Sequence, residues 1–257
     1  MLVRMKTLLR MRGGYIEGTF MNITMRMRRK AEVKGRVSTP NYDAAYCRVV
    51  GCQNPARAAT GEGLDSRFCR PHAEHYARHG SPYRKSYTAP EVRPYRKAAT
   101  DWIKANASDP WVVNALQRVH GLYATAGGHV EAFRLRGLSP EERAKAAWAR
   151  LRKARVDPVK VLADVLAVEM IIRDDPQADH KREFKEVQAA KLVHRMASGS
   201  HKRWGEGASA TELHVFPRSR GRVLRHLGKE ALEVGELVVD HHRDALPKAP
   251  VAKGGPR

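Results

Sequence analysis

Hydrophobic positions follow two different rules on either side of residue 156. Between 140 and 155, Ala144, Ala147, Trp148 and Leu151 recur at three- and four-residue spacing, the single stripe of an amphipathic helix. From 158 to 173, Val161, Leu162, Val165, Leu166, Val168, Met170, Ile171 and Ile172 cover most of a helix's circumference. That helix is predicted to form the core. Val223, Leu227, Val234 and Val238 give a third seam near the C-terminus. Asp109-Pro110, Ser139-Pro140, Asp157-Pro158 and Asp175-Pro176 each set a capping side chain before a proline suited to the first helical position, and Ser139 to Glu142 is a capping box. Together these signals predict helices over 92–106, 110–126, 140–155, 158–173, 180–197 and 218–245, packed as a bundle and not as an open sheet.

Other stretches break this regularity. Residues 198–211, "SGSHKRWGEGASAT", are Gly/Ser-rich and predict a mobile loop. Within 211–216, Leu213 and Val215 alternate with polar neighbours as in a strand, for which the sequence offers no partner. Residues 1–45 hold six of the eight methionines among many Lys and Arg, with Glu17, Glu32 and Asp43 as the acids. A basic arm, a presequence and a translated leader each fit that composition, and the expectation is a disordered or mis-started segment. Residues 247–257 predict a flexible tail. The expected organisation is therefore an arm (1–45), a small module (46–90), a helical bundle (91–198), a loop and strand (199–216), a C-terminal helix (217–246) and the tail.

Charge changes the picture. Across 257 residues, 48 Lys and Arg face 27 Asp and Glu, a formal charge of +21, with mean hydropathy −0.56. Such a field attracts polyanions. No apolar run reaches the roughly 18 residues of a membrane span, since even 159–173 carries Lys160, Asp164 and Glu169; no membrane partner is expected. Protein partners cannot be named from the sequence.

All three cysteines fall between 46 and 82, as C-x4-C-x16-C-x2-H: Cys47, Cys52, Cys69 and His72. An odd number argues against a secreted disulfide framework and for a reducing compartment. Two close pairs separated by a loop are how a tetrahedral zinc site is assembled, since Zn2+ takes four N or S ligands and each tight turn supplies two. Gly51 lets the first turn close. Arg70 to His79 reads as a short helix with Pro71 in its first turn and Gly80-Ser81-Pro82 as its stop. His75 and His79, further along that helix, are alternative ligands. The competing account makes the cysteines small buried packing residues.

The stretch "YCRVVGCQNPARA…FCRPH…YARHGSP" resembles the small Cys/His zinc module of phage and prophage proteins, often found beside HNH-type endonuclease domains. The resemblance covers about 40 residues. It implies a module of treble-clef or knuckle type, one structural Zn2+ per chain on Cys47, Cys52, Cys69 and His72, DNA as partner in preference to RNA, and a bacterial or phage-infected cytoplasm.

Around this module cations and aromatics are interleaved. Arg48, Arg57, Arg67, Arg70, Arg78, Arg84 and Lys85 lie among Phe68, Tyr76, Tyr83, Tyr87 and Tyr95, a composition able to neutralise phosphates and stack on bases. Lys202, Arg203 and Trp204 repeat the combination further on. A solvated basic face with aromatics packed inside is the plainer alternative. Nothing matches a groove-reading motif, so binding independent of sequence is expected. The one candidate for catalysis is Asp240-His241-His242, similar to the opening of an HNH nuclease; none of the 15 residues after His242 is Asn or His. A His pair at a helix end is favoured by the dipole without any chemistry. The sequence therefore predicts a mainly α, zinc-containing, non-catalytic nucleic-acid-binding protein. A divergent nuclease using His241 and His242, and a zinc-stabilised protein-interaction module, are the alternatives.

Overall fold

The computed structural model describes residues 26–28, 30–35, 46–56, 67–207, 210–219 and 221–248. Most of the expected arm and tail, and Arg57, lie outside these residues. The fold is mainly helical. A short exposed helix, α1, lies within 26–35. It is followed by α2 (Arg70–His79), α3 (Ala89–Ala105), α4 (Pro110–Thr125), α5 (Pro140–Lys153), α6 (Pro158–Asp174), α7 (Arg182–Arg195), the strands β1 (Ser200–Trp204) and β2 (Thr211–Val215), and α8 (Arg222–His242). The chain divides after Glu74 into two compact units. Residues 75–90 thus go with the helices, whereas the sequence suggested a boundary at 90, and α8 belongs to the same unit as the other bundle helices.

Helix α6 is the centre of the second unit, packed against α3, α4, α7 and α8. Eleven of its residues are buried, among them Leu162, Leu166, Met170 and Ile172. One of the eleven is Asp164, whose carboxylate is gripped by both Arg96 Nε and, at 3.0 Å, Arg96 Nη2 from α3. Burial pushes the Asp164 carboxyl upward against the pull of Arg96. Helix α5 reaches α8 through Trp148, whose indole N–H donates to Glu230 at 2.6 Å.

The capping signals at 109, 139 and 157 start helices as the sequence predicted. Asp109 accepts from the N–H groups of Trp111 and Val112, Ser139 from Glu142, and Asp157 from Val159. Asp175-Pro176 does not start one. Asp175 ends α6, its Oδ1 accepting from Gln177 N–H at 2.9 Å, while Oδ2 takes Arg84 and Tyr87 at 2.5 and 2.9 Å. Helix α7 begins only at Arg182. Helix α3 starts earlier than expected because Glu91 accepts from the N–H and hydroxyl of Thr88, at 2.6 and 2.7 Å.

The segment read as a mobile loop is half a hairpin. β1 pairs antiparallel with β2, Ser200 opposite Val215 and Trp204 opposite Thr211, which supplies the partner that 211–216 lacked. An exposed two-stranded ribbon needs backbone bonds and cross-strand pairs more than apolar alternation. Here His201 faces His214 and Arg203 faces Glu212. That is why a polar run such as Ser200-His-Lys-Arg-Trp204 forms a strand without a strand's usual sequence signature.

Helices α7 and α8 approach backbone to backbone. A Cβ on Gly228 would lie 2.0 Å from the Glu186 carbonyl oxygen, and one on Gly235 would lie 2.7 Å from Val165 Cγ1. Gly228→Ala is expected to destabilise the protein by about 1–3 kcal/mol through overpacking, measured by urea unfolding. A half-buried imidazole, His79, and a buried one, His194, generate an acid sensitivity. Ser86 N–H donates to His79 Nδ1 at 2.9 Å, which requires that nitrogen unprotonated. Burial, then the nearby charge of Lys191, lowers His79 to about 4; burial, then Arg150, lowers His194 to about 3. Both titrate lower in the folded chain than the ordinary 6.5, so the unfolded chain takes up protons first. Stability is expected to be full above about pH 7 and to fall as pH drops from 6.5 to about 4. Urea midpoints measured across that range check this, and His79→Gln should flatten the decline.

Candidate metal centre

Four donor atoms come from two short segments. In the first, Tyr46 and Pro55 form an antiparallel bridge and Cys47 N–H donates to the Asn54 carbonyl at 2.9 Å, folding the chain back on itself. Cys52 N–H closes a turn onto the Val49 carbonyl at 3.0 Å, with Gly51 at φ +77°, a conformation that only glycine adopts without strain. The second segment is Cys69 and the first turn of α2, where Pro71 needs no hydrogen-bonding partner and Ala73 N–H donates to the Cys69 carbonyl at 2.8 Å. Arg48 N–H donates to the Arg67 carbonyl at 3.1 Å and joins the segments.

The donors converge. Cys52 and Cys69 Sγ are 3.8 Å apart, and His72 Nδ1 lies 3.3 Å from Cys47 Sγ and 3.2 Å from Cys69 Sγ. All four atoms fall within 4.8 Å of one another, the only such metal-competent Cys/His/Asp/Glu group among the described residues. Metal–sulfur bonds of about 2.3 Å at tetrahedral angles give sulfur–sulfur edges of about 3.8 Å, so the donor set fits one tetrahedral metal ion. Asn54 Nδ2 donates to Cys52 Sγ at 3.6 Å, a supporting contact that ligand spacing alone does not reveal. Burial raises the Cys47 thiol, but the backbone N–H groups of Cys69 and Val49 and the His72 ring outweigh it and bring Cys47 down to about 6. Burial raises Cys69, and the neighbouring sulfurs of Cys47 and Cys52 add to that rise. Three sulfurs this close repel one another as thiolates, and a cation at their centre removes the conflict. His75 and His79 are engaged elsewhere, His75 with the Ser81 carbonyl and His79 with Ser86.

The expected nucleic-acid contacts separate into groups. Arg48, Arg67, Arg70, Arg78 and Lys85 are exposed, Arg70 pairing loosely with Glu74 at 3.3 Å. Arg84 is not available: it is ion-paired with Asp175 at 2.5 Å and lies over the Tyr87 ring. The sequence could not reveal this because Asp175 is remote along the chain. Phe68, Tyr76 and Tyr87 are buried, so they pack and do not stack on bases, whereas Tyr83 is exposed. On the hairpin, Trp204 is 51 % exposed, Arg203 approaches Glu212 at 3.7 Å, and the Lys202 ammonium lies 5.4 Å from the Phe133 ring.

Asp240, His241 and His242 do not converge. Asp240 approaches Arg243 at 3.8 Å, His241 stacks on Trp111 with ring centres 3.7 Å apart, and His242 Nε2 lies 3.2 Å from Asp109 Oδ2 at the start of α4. Each side chain has a packing or capping partner. Sequence reasoning passed over Arg136, Arg143 and Arg150, which gather with Arg218 around one cavity. The available signal was the spacing of Arg143, Ala147 and Arg150 along one face of α5.

Comparison with protein-family models, with curated proteins and with solved structures returns no match. No helix among the described residues is long and apolar enough to cross a membrane.

The purified protein is expected to carry about one metal ion per chain. The double substitution Cys47→Ser/Cys69→Ser should carry none and should make residues 46–74 sensitive to limited proteolysis. Elemental analysis of both proteins, with mapping of the cleavage sites, checks this.

Proposed function

We propose that this is a basic nucleic-acid-binding protein of phage or prophage type, stabilised by one structural Zn2+ on Cys47, Cys52, Cys69 and His72. The observation that carries the zinc assignment is the donor set: three sulfurs and one imidazole nitrogen at tetrahedral spacing. Soft thiolates with one imidazole suit Zn2+ better than Mg2+ or Ca2+, which take oxygen. Four protein ligands leave no position for a water nucleophile, so the metal holds two chain segments together and performs no hydrolysis.

Nucleic acid as the partner is supported by the charge of +21 and by exposed cations in each unit, Arg48, Arg67 and Arg70 in the first and Arg78 and Lys85 in the second. Such cations bind phosphates by releasing counterions, a term that is indifferent to sequence and steeply salt-dependent. DNA is assigned ahead of RNA on the resemblance of the Cys/His stretch alone. The protein works in the cytoplasm of a bacterial or phage-infected cell, in keeping with cysteines held as metal ligands.

Fluorescence anisotropy with duplex DNA, single-stranded DNA and RNA of matched length tests the assignment. Affinity for DNA is expected to fall by about 10-fold or more between 50 and 200 mM salt, with little dependence on sequence. The combined Arg67→Ala/Arg70→Ala/Arg78→Ala variant should bind more weakly with a shallower salt slope. Salt-independent binding, or equal affinity for an acidic polypeptide of matched charge, would overturn the reading. Cleavage of the DNA in the presence of a divalent ion, lost in His241→Ala while zinc content is unchanged, would replace it with a nuclease.

A further inference from the structure

A cavity of about 450 Å3 opens between α5, the 132–136 turn and the segment that follows β2. Its charge is one-sided. Arg136, Arg143, Arg150 and Arg218 all line it, and no Asp or Glu does. Arg150 sits at the floor, 7 % exposed on an otherwise buried stretch of α5. One terminal nitrogen donates to the His194 carbonyl at 2.8 Å, and Nε is buried with no partner among the described residues. Burial alone lowers this guanidinium to about 10, with no carboxylate opposing the shift.

Asp164 is paired with Arg96. Lys191 and Asp179 are also buried, but Lys191 donates to Ser86 at 2.7 Å and Asp179 accepts from Lys181 N–H at 3.2 Å, and neither lines this cavity. Burying a guanidinium without a counter-charge is costly, whereas a Leu or Met at 150 would carry no such cost. One free bond to the last turn of α7 recovers part of that through the helix dipole, but it leaves Nε orphaned and does not explain three more arginines at the same opening. Arg143 donates through Nε to the Leu138 carbonyl at 3.0 Å, which fixes its guanidinium in place. Arg136 and Arg218 are exposed at the rim.

The walls are aromatic. Phe133 and Phe216, the latter 64 % exposed, both line the cavity. An exposed phenyl ring beside a fixed guanidinium suits a ligand that joins an anionic group to a flat ring. Arginine forks match the oxygen geometry of phosphate.

We propose that this cavity is a phosphate-binding pocket for a nucleotide unit, with Arg150 and Arg143 holding the phosphate, Arg136 and Arg218 closing over it, and Phe133 and Phe216 taking the base. The nucleotide unit belongs either to a free mononucleotide or to the phosphorylated end of a strand, two sources of one chemistry. The strand form rests on the nucleic-acid reading given above.

The test uses the full-length, metal-loaded protein and four probes: inorganic phosphate, thymidine 5′-monophosphate, a short single strand carrying a 5′-phosphate, and the same strand without it. Binding is followed by calorimetry and by the rise in Tm. Thymidine monophosphate is expected to bind at least tenfold more tightly than inorganic phosphate. The exposed double variant Arg136→Ala/Arg218→Ala should keep its ligand-free Tm and lose at least tenfold in affinity for the nucleotide. Phe216→Ala should lose affinity for the nucleotide and not for inorganic phosphate. Arg150→Gln, if it folds, should abolish both. A tighter grip on the phosphorylated strand than on its unphosphorylated twin identifies the strand end as the ligand; equal affinity with tight mononucleotide binding identifies the free nucleotide. Absence of nucleotide binding, or binding unchanged in the Arg136/Arg218 variant, overturns the pocket while leaving salt-dependent DNA binding intact. Nucleotide binding that survives alongside a failure to bind DNA overturns the nucleic-acid reading instead.

Discussion

A helix that is apolar on nearly every side has no stable place at a surface, and that constraint organises the larger unit. Helix α6 must be sheathed, and α3, α4, α7 and α8 provide the sheath. The contribution is collective: each buried Leu, Ile or Val adds about 1.5–3 kcal/mol of transfer free energy relative to exposure, set against the conformational entropy of ordering the helices. The one buried polar side chain of α6 and its close approach to α8 are both resolved locally. Asp164 meets Arg96 within the α3 contact, and Gly228 and Gly235 give α8 the clearance to approach its neighbours closely.

What the sequence made legible was what is local. Proline after Asp or Ser marked three of the four predicted starts, because the capping side chain and the fixed φ of proline act within one turn. The clustering of the four Cys/His donors was legible for the same reason: each pair is a tight turn, and the pairs are joined by a few backbone bonds such as Arg48 to Arg67. The misreadings share a cause. Asp175 looked like a cap because its partners Arg84 and Tyr87 lie about ninety residues away. The loop around 200 looked unstructured because a polar strand is made by its partner and not by its own composition.

The two candidate sites use charge in opposite ways. At the Cys/His cluster, three sulfurs and one imidazole nitrogen are gathered at a spacing that fits one cation. At the α5 cavity, positive character is concentrated by four guanidiniums with no acid among the lining residues. Asp240, His241 and His242 show the contrasting case: adjacent in sequence, suggestive as a string, and dispersed among Arg243, Trp111 and Asp109.

The clasp of Asp175 on Arg84 and Tyr87 also bears on the order in which the chain assembles. It joins residues separated by 91 and 88 positions, so closing it means bringing together the ends of a long loop, a step that carries an entropic cost before any contact is made. Helices α3 to α6 lie inside that loop and shorten it as they form and dock. The more of that loop the helices fix, the smaller the entropic cost left for pairing Asp175 with Arg84 and Tyr87.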